Sequence, residues 1–288
     1  MALIKILALV MIVSTMFGAG LQIDRQRLVE TLKQYGLLGR ALLANFVLVP
    51  LVAVLLVRYF HVEAGVATGV VLMSMAPGVP FLANSAGRAG GGSLSFALTI
   101  AFFFAALSVI TIPLTISLVL PPEEAAQVPV AKFLTTLVTF QLVPLVLGAL
   151  AATRIPEGTA EKLVKILHLA FGLAAIALVV LIFPKIVSSV QLVYGQGHLF
   201  LMAGVGIFSL GIGWVFGGKE RPYRRTLSIA TLMRNIGLCT LIGTEPAFAN
   251  TLVLPAVFAY FVITFVLSLP IRMLYKRTKD GLAGASVA

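Results

Sequence analysis

Nine apolar runs, each as long as a helix that crosses a bilayer, limit what this chain can fold into. They cover about 3–21, 39–58, 64–86, 94–119, 131–152, 165–190, 198–217, 226–246 and 250–275. A hydrocarbon core about 30 Å thick takes roughly 20 residues at 1.5 Å of rise each. No water reaches that core, so every backbone donor and acceptor must pair within the protein, and runs of this length do so as helices. The expectation is an all-α polytopic membrane protein embedded in a lipid bilayer. Composition agrees: the 288 residues are 60% hydrophobic and 11% charged, with a mean hydropathy of +1.08, which excludes a water-soluble domain of ordinary make-up.

The net charge of +11 would suggest nucleic acid in a soluble chain. Here the basic residues sit in short loops between apolar runs, so the charge reports orientation and not a nucleic-acid partner. Loops after the odd-numbered runs carry Arg25, Arg27, Lys33 and Arg40; Arg88; Arg154, Lys162 and Lys165; Lys219, Arg221, Arg224 and Arg225; and Arg272, Lys276, Arg277 and Lys279. These are 16 of the 21 basic residues. The opposite side holds Lys5, Arg58, Lys132 and Lys185 together with Glu123 and Glu124. The positive-inside rule then places the amino terminus outside and the carboxyl terminus in the cytoplasm, in a cell inner (plasma) membrane. The first run, MALIKILALVMIVSTMFGAG, also has the layout of a signal peptide, but its apolar stretch is long for one, which favours a retained helix.

Two runs are interrupted. Between Ser74 and Gly92 the sequence SMAPGVPFLANSAGRAGGG places Pro77, Gly78 and Pro80 inside the third run, followed by the polar Asn84 and Ser85. Proline has no amide donor and clashes with the preceding turn, and glycine costs about 1 kcal/mol against alanine in a helix. The predicted result is a broken helix over 64–86 whose freed backbone groups face protein or a cavity, as in transporter sites. In the eighth run, Arg234 and Asn235 stand about nine residues beyond Arg225, which puts Arg234 on the order of 12–14 Å into the core. A central arginine costs about 2.5–3.5 kcal/mol on insertion scales, so it faces a bundle interior or an aqueous cavity. The segment 226–246 is therefore predicted to be broken or polar.

The linker between Leu120 and Pro129, rich in proline and acidic residues, divides the chain into a first half, 1–120, with four helices and a second, 121–288, with five. The two interrupted helices run in opposite membrane directions, which is the pattern of inverted repeats with a site at their crossing. Hydroxyls of Ser108, Thr111, Thr115 and Ser117 on the fourth helix are expected to bond nearby carbonyls. Gly204, Gly206, Gly211 and Gly213 on the seventh are expected to let helices approach. The single cysteine, Cys239, excludes an internal disulfide and a multi-cysteine metal site. Paired carboxylates, a nucleophile beside a histidine and metal-ligand spacing do not occur within the runs, so an enzyme is not expected.

The segments MFGAGL, APGVPFLANSAGRAGGGSLSFAL and MRNIGL, in this order and spacing, resemble the bile acid:sodium symporter superfamily. That resemblance implies inverted repeats, a core domain whose two broken helices cross, and a panel domain formed by the first, fifth and sixth helices. The superfamily usually has ten helices, and the resemblance implies that this chain is without the first. It implies a secondary transporter of a small organic anion working by alternating access, with Pro77, Gly78, Pro80, Asn84, Ser85, Arg234 and Asn235 at the substrate site and Asn84 and Asn235 as ion ligands. Ala83, Ser93, Ala97, Ala101 and Ala230 fall where the family carries oxygen ligands, and Arg234 replaces a glutamine. Sodium, a hard cation that wants several oxygens, is therefore a doubtful partner, and no other cofactor is implied. Two alternatives stay open: a symporter whose sodium ligands are mainly backbone carbonyls, and a non-transporting receptor or scaffold of the same fold.

Overall fold

The computed structural model describes residues 2–23, 25–78, 92–119, 130–188, 197–245, 248 and 252–285. These residues form helices and connecting turns only. The helices are α1 (Ala2–Leu21), α2 (Arg25–Lys33), α3 (Tyr35–Tyr59), α4 (Ala64–Met75), α5 (Leu94–Val119), α6 (Val130–Ala152), α7 (Glu157–Ser188), α8 (His198–Phe216), α9 (Arg221–Leu232), α10 (Ile236–Gly243) and α11 (Val253–Ala285). Seven of the described helices, α1, α3, α5, α6, α7, α8 and α11, are long and apolar enough to cross a membrane. The chain is a multi-pass membrane protein.

The helices pack in two groups. In one, α1 lies against α6 and α7; in the other, α3, α4, α8, α9 and α11 pack together; α5 and α10 touch both. Small residues set the distances, as expected where hydrocarbon removes the hydrophobic drive between helices. A Cβ on Gly20 would strike the Leu145 carbonyl of α6, and one on Gly148 would strike the Phe17 carbonyl of α1. Gly69 of α4 meets Ala256 and Val253 of α11 in the same way. On α8 only Gly206 and Gly213 make such approaches; Gly204 and Gly211 face open space, so half of the glycine pattern is packing.

Several boundaries differ from the sequence reading. The loop after α1 contains a helix of its own, α2, and α3 begins at Tyr35 rather than near Leu38, because a short amphipathic stretch can lie along a membrane face. The sixth run starts at Glu157, a charged turn that hydropathy alone leaves out. The run 226–246 is two helices, α9 and α10, separated at Met233–Asn235. Each of α3 and α6 also widens into a π turn, Ala44–Leu48 and Val138–Leu142, just before Pro50 and Pro144. A proline cannot donate to the preceding turn, and the wider register accommodates the missing bond. Both π turns carry a buried amide, Asn45 and Gln141. The fourth run behaves as expected: Ser108, Thr111, Thr115 and Ser117 donate to carbonyls three or four residues back.

Candidate functional site

The two interrupted helices meet. α4 ends at Met75, and its continuation pairs with the break between α9 and α10 as a short antiparallel bridge, Pro77 against Arg234. Gly78 N–H donates to the Met233 carbonyl at 2.9 Å, and Asn235 N–H donates to the Ala76 carbonyl at 3.0 Å. Groups freed by the two breaks thus satisfy each other, which makes non-helical backbone tolerable at membrane depth. Pro77 fits because it has no donor to lose. Gly78 is required: a Cβ there would lie 2.5 Å from the Met233 carbonyl oxygen and 2.9 Å from Arg234 N.

Arg234 fills the space beside this bridge and is only 2% exposed. Its Nη2 donates to the Thr231 carbonyl, in the last turn of α9, and its Nη1 donates to Asn45 Oδ1 of α3 at 3.5 Å. The Tyr260 hydroxyl and the Cys239 thiol are its other polar neighbours, while Nε makes no hydrogen bond. Both α4 and α9 run into the crossing by their carboxyl-terminal ends. Each such end carries a partial negative charge and carbonyls without helical partners, so two of them together favour a cation. The guanidinium lies against the α9 end, bonded to the Thr231 carbonyl, and reaches Asn45 of α3, which gives the buried charge its acceptors.

Asn235 also shapes the break. Its Oδ1 accepts the Leu238 N–H at 3.1 Å and caps α10. Of the residues expected at the site, Pro77, Gly78, Arg234 and Asn235 are brought together, whereas Pro80, Asn84 and Ser85 lie outside the described residues. Ser93 caps α5 by accepting Phe96 N–H, and its own N–H bonds Thr226 Oγ1 of α9 at 2.8 Å. Asn45 was not expected here. Its signal in the sequence is a lone amide in an apolar run five residues before a proline.

Among the described residues, the Thr231 carbonyl and Asn45 Oδ1 around the Arg234 guanidinium are already engaged by it, and the expected ion ligand Asn84 lies outside those residues. Ala97, Ala101 and Ala230, all buried, bring no side-chain oxygen.

A second charged cluster lies at the far end of α10. Glu245 is 3% exposed and receives Lys5 Nζ on Oε1 at 2.6 Å and Lys132 Nζ on Oε2 at 2.5 Å. Lys5 opens α1 and Lys132 opens α6, so this carboxylate joins the end of the broken helix to the other helix group. At the opposite end of the molecule Gln34 Nε2 donates to the Tyr223 hydroxyl at 3.2 Å, and Arg40 lies against Gly218.

The model of the Sodium Bile acid symporter family matches residues 9–193, more than half of the 288. The match takes in Pro77 and Gly78 and ends before Arg234. No curated protein matches the chain. With two broken helices crossing as that family implies, this chain belongs to the Sodium Bile acid symporter family, whose members are transporters and not enzymes.

Proposed function

We propose that the chain is a secondary transporter of a small organic anion in which Arg234 is a built-in cation at the helix crossing, so that transport does not depend on sodium. The family supplies the coarser statement, a membrane transporter of organic anions with sodium coupling as its usual partner. The observation that carries the finer one is the buried guanidinium beside the helix crossing, bonded to the Thr231 carbonyl at the end of α9 and to Asn45 of α3. A planar fork of donors suits several carbonyl and amide oxygens better than an ammonium would. Because Arg234 is buried, its role in this reading is to hold the crossing and make it electropositive, and the substrate anion binds near the crossing's backbone. In the same reading the halves 1–120 and 121–288 are inverted repeats, and the basic loops face the cytoplasm.

The test is uptake into proteoliposomes of a panel of radiolabelled carboxylates that includes a bile acid, with sodium or potassium as the only cation. Equal rates in the two buffers are expected. Strict sodium dependence overturns the role given to Arg234 but keeps the transporter. Failure of every carboxylate to exchange, in protein whose fold is intact, overturns transport itself and leaves a membrane receptor of the same fold.

A further inference from the structure

We propose that the cleft between the start of α3 and the α8–α9 turn binds the phosphate headgroup of an anionic phospholipid. A cavity of about 530 Å³ opens there, lined by Lys33, Tyr35, Arg40, Lys219, Glu220 and Tyr223 among others. Three cations against one carboxylate make it electropositive. Arg40 is pinned at one wall: its Nε donates to the Gly36 carbonyl at 3.1 Å, and its guanidinium packs on Gly218. Gly218 has a φ of 84°, a left-handed turn that glycine adopts without strain, and the contact leaves Arg40 Nη2 only 3.2 Å from where a Cβ would sit. Gln34 and Tyr223 tie the two sides of the cleft together.

What selects a lipid over a dissolved anion is where this cleft lies. Along α3, Tyr35, Leu43, Val47, Leu51, Leu55 and Tyr59 are all exposed, a stripe at near four-residue spacing on one face of a spanning helix. An exposed apolar stripe on such a helix is its lipid face, and tyrosines at the two ends are interfacial anchors. The 25 residues from Tyr35 to Tyr59 span about 36 Å from first to last, more than the hydrocarbon core of about 30 Å and less than the full bilayer of about 40–45 Å. Tyr35 therefore marks the headgroup level, and Tyr35 lines the cavity. The adjoining α2 exposes Val29 and Leu32, one turn apart, next to Lys33, as a helix lying in the interface does. Acyl chains on the α3 stripe would bring a phosphate to Lys33, Arg40 and Lys219, and basic pockets at this depth suit such headgroups.

The experiment offers the full-length protein in detergent a mixture of phosphatidylglycerol and phosphatidylcholine and counts retained lipid by native mass spectrometry. Wild type is expected to retain phosphatidylglycerol at least fivefold over phosphatidylcholine. The triple variant Lys33→Gln, Arg40→Gln, Lys219→Gln should lose that preference. A matched variant, Arg154→Gln, Lys162→Gln, Lys165→Gln, removes the same charge from exposed positions elsewhere and should keep it. Lys33→Arg with Lys219→Arg should also keep it, which guards against a folding defect in the first triple. Equal loss in both glutamine triples would make the effect one of net charge and overturn the site. Displacement of phosphatidylglycerol by inorganic phosphate at millimolar concentration would reassign the cleft to a soluble anion, and that outcome also overturns the proposal.

Discussion

Arg234 and Glu245 are both buried charges near the ends of the broken helix pair, but they are stabilised in opposite ways. Arg234 has a carbonyl and an amide oxygen as hydrogen-bond acceptors, from α9 and α3 within one helix group. Glu245 has two full ion pairs, and both lysines come from α1 and α6 in the other group. Dipoles fixed in one packed body can hold a charge without rearranging, whereas ion pairs across a seam hold two bodies in one relation. Under the alternating access proposed above, the crossing would stay constant while the helix groups move, and the Glu245 end would register whether they are together. Alternating access needs both properties, a site that keeps its shape and a closure that can part.

The largest effect separating the two clusters is expected at Arg234. Arg234→Gln removes the buried cation beside the crossing and leaves the Thr231 carbonyl poorly paired, so uptake should fall by about 100-fold and stability by about 1–3 kcal/mol. Arg234→Lys should be intermediate, keeping charge without the fork. Adding Ala230→Glu to Arg234→Gln supplies a carboxylate on the same turn of α9, and any uptake it restores should require sodium. Intact uptake in Arg234→Ala would remove this side chain from the mechanism. Thermal melts and initial rates, both measured in sodium and in potassium, decide it.

Next in size is the bridge itself. Gly78→Ala would put a methyl group 2.5 Å from the Met233 carbonyl, which forces the two bridged segments apart. Overpacking of this kind costs about 1–3 kcal/mol, and uptake should fall at least tenfold because the bonds Gly78–Met233 and Ala76–Asn235 are lost together. Gly204→Ala, on an open face of α8, is the control and should change neither. Equal behaviour of the two variants would show that the crossing does not have to be held.

How legible these regions were in the sequence follows from the distance over which each is specified. Seven of the nine spans, the break at Pro77–Gly78 and the cost of a central Arg234 are set by local composition and backbone chemistry, so they could be read directly. The partner of Arg234 could not: Asn45 is 189 positions away, and only the tertiary fold brings it to the guanidinium. The ion pairs of Glu245 could not be read either, because its lysines are 240 and 113 positions away. The helix α2 and the π turns were missed for another reason. A nine-residue amphipathic helix is too short for a span, and a proline in an apolar run does not say whether the helix breaks, as at Pro77, or widens, as before Pro50. The cap that Asn235 makes on α10 was not read either, because it depends on where the helix restarts after the break.

The Glu245 cluster should respond more mildly in stability and more in conformation. In Glu245→Gln the two lysines, 40% and 54% exposed, can return to water, so unfolding should cost only about 1–2 kcal/mol less. The seam should open more often. A cysteine placed at Thr136, on α6 beside this end of α10, in a Cys239→Ser background should then react several-fold faster with an impermeant thiol reagent than it does when Glu245 is present. Arg234→Gln should leave that rate unchanged, because its bonds do not cross the seam. An unaltered rate in Glu245→Gln would mean that the ion pairs merely decorate a contact held by packing.

The smallest expected effect is that of a single lysine, and it tests whether the clamp is shared. Lys5→Gln leaves Lys132 on Oε2, and Lys132→Gln leaves Lys5 on Oε1, so each alone should cost about 0.2–1 kcal/mol, the ordinary range for a half-exposed pair. Removing both strands a buried carboxylate with no cation, which is more costly than the two single losses added together. The double variant should therefore be less stable than additivity predicts, and it should recover when Glu245→Gln removes the stranded charge. Additive losses with no such recovery would show two independent surface pairs, and the contrast between a fixed cation at the crossing and a shared carboxylate at the seam would lose its second half.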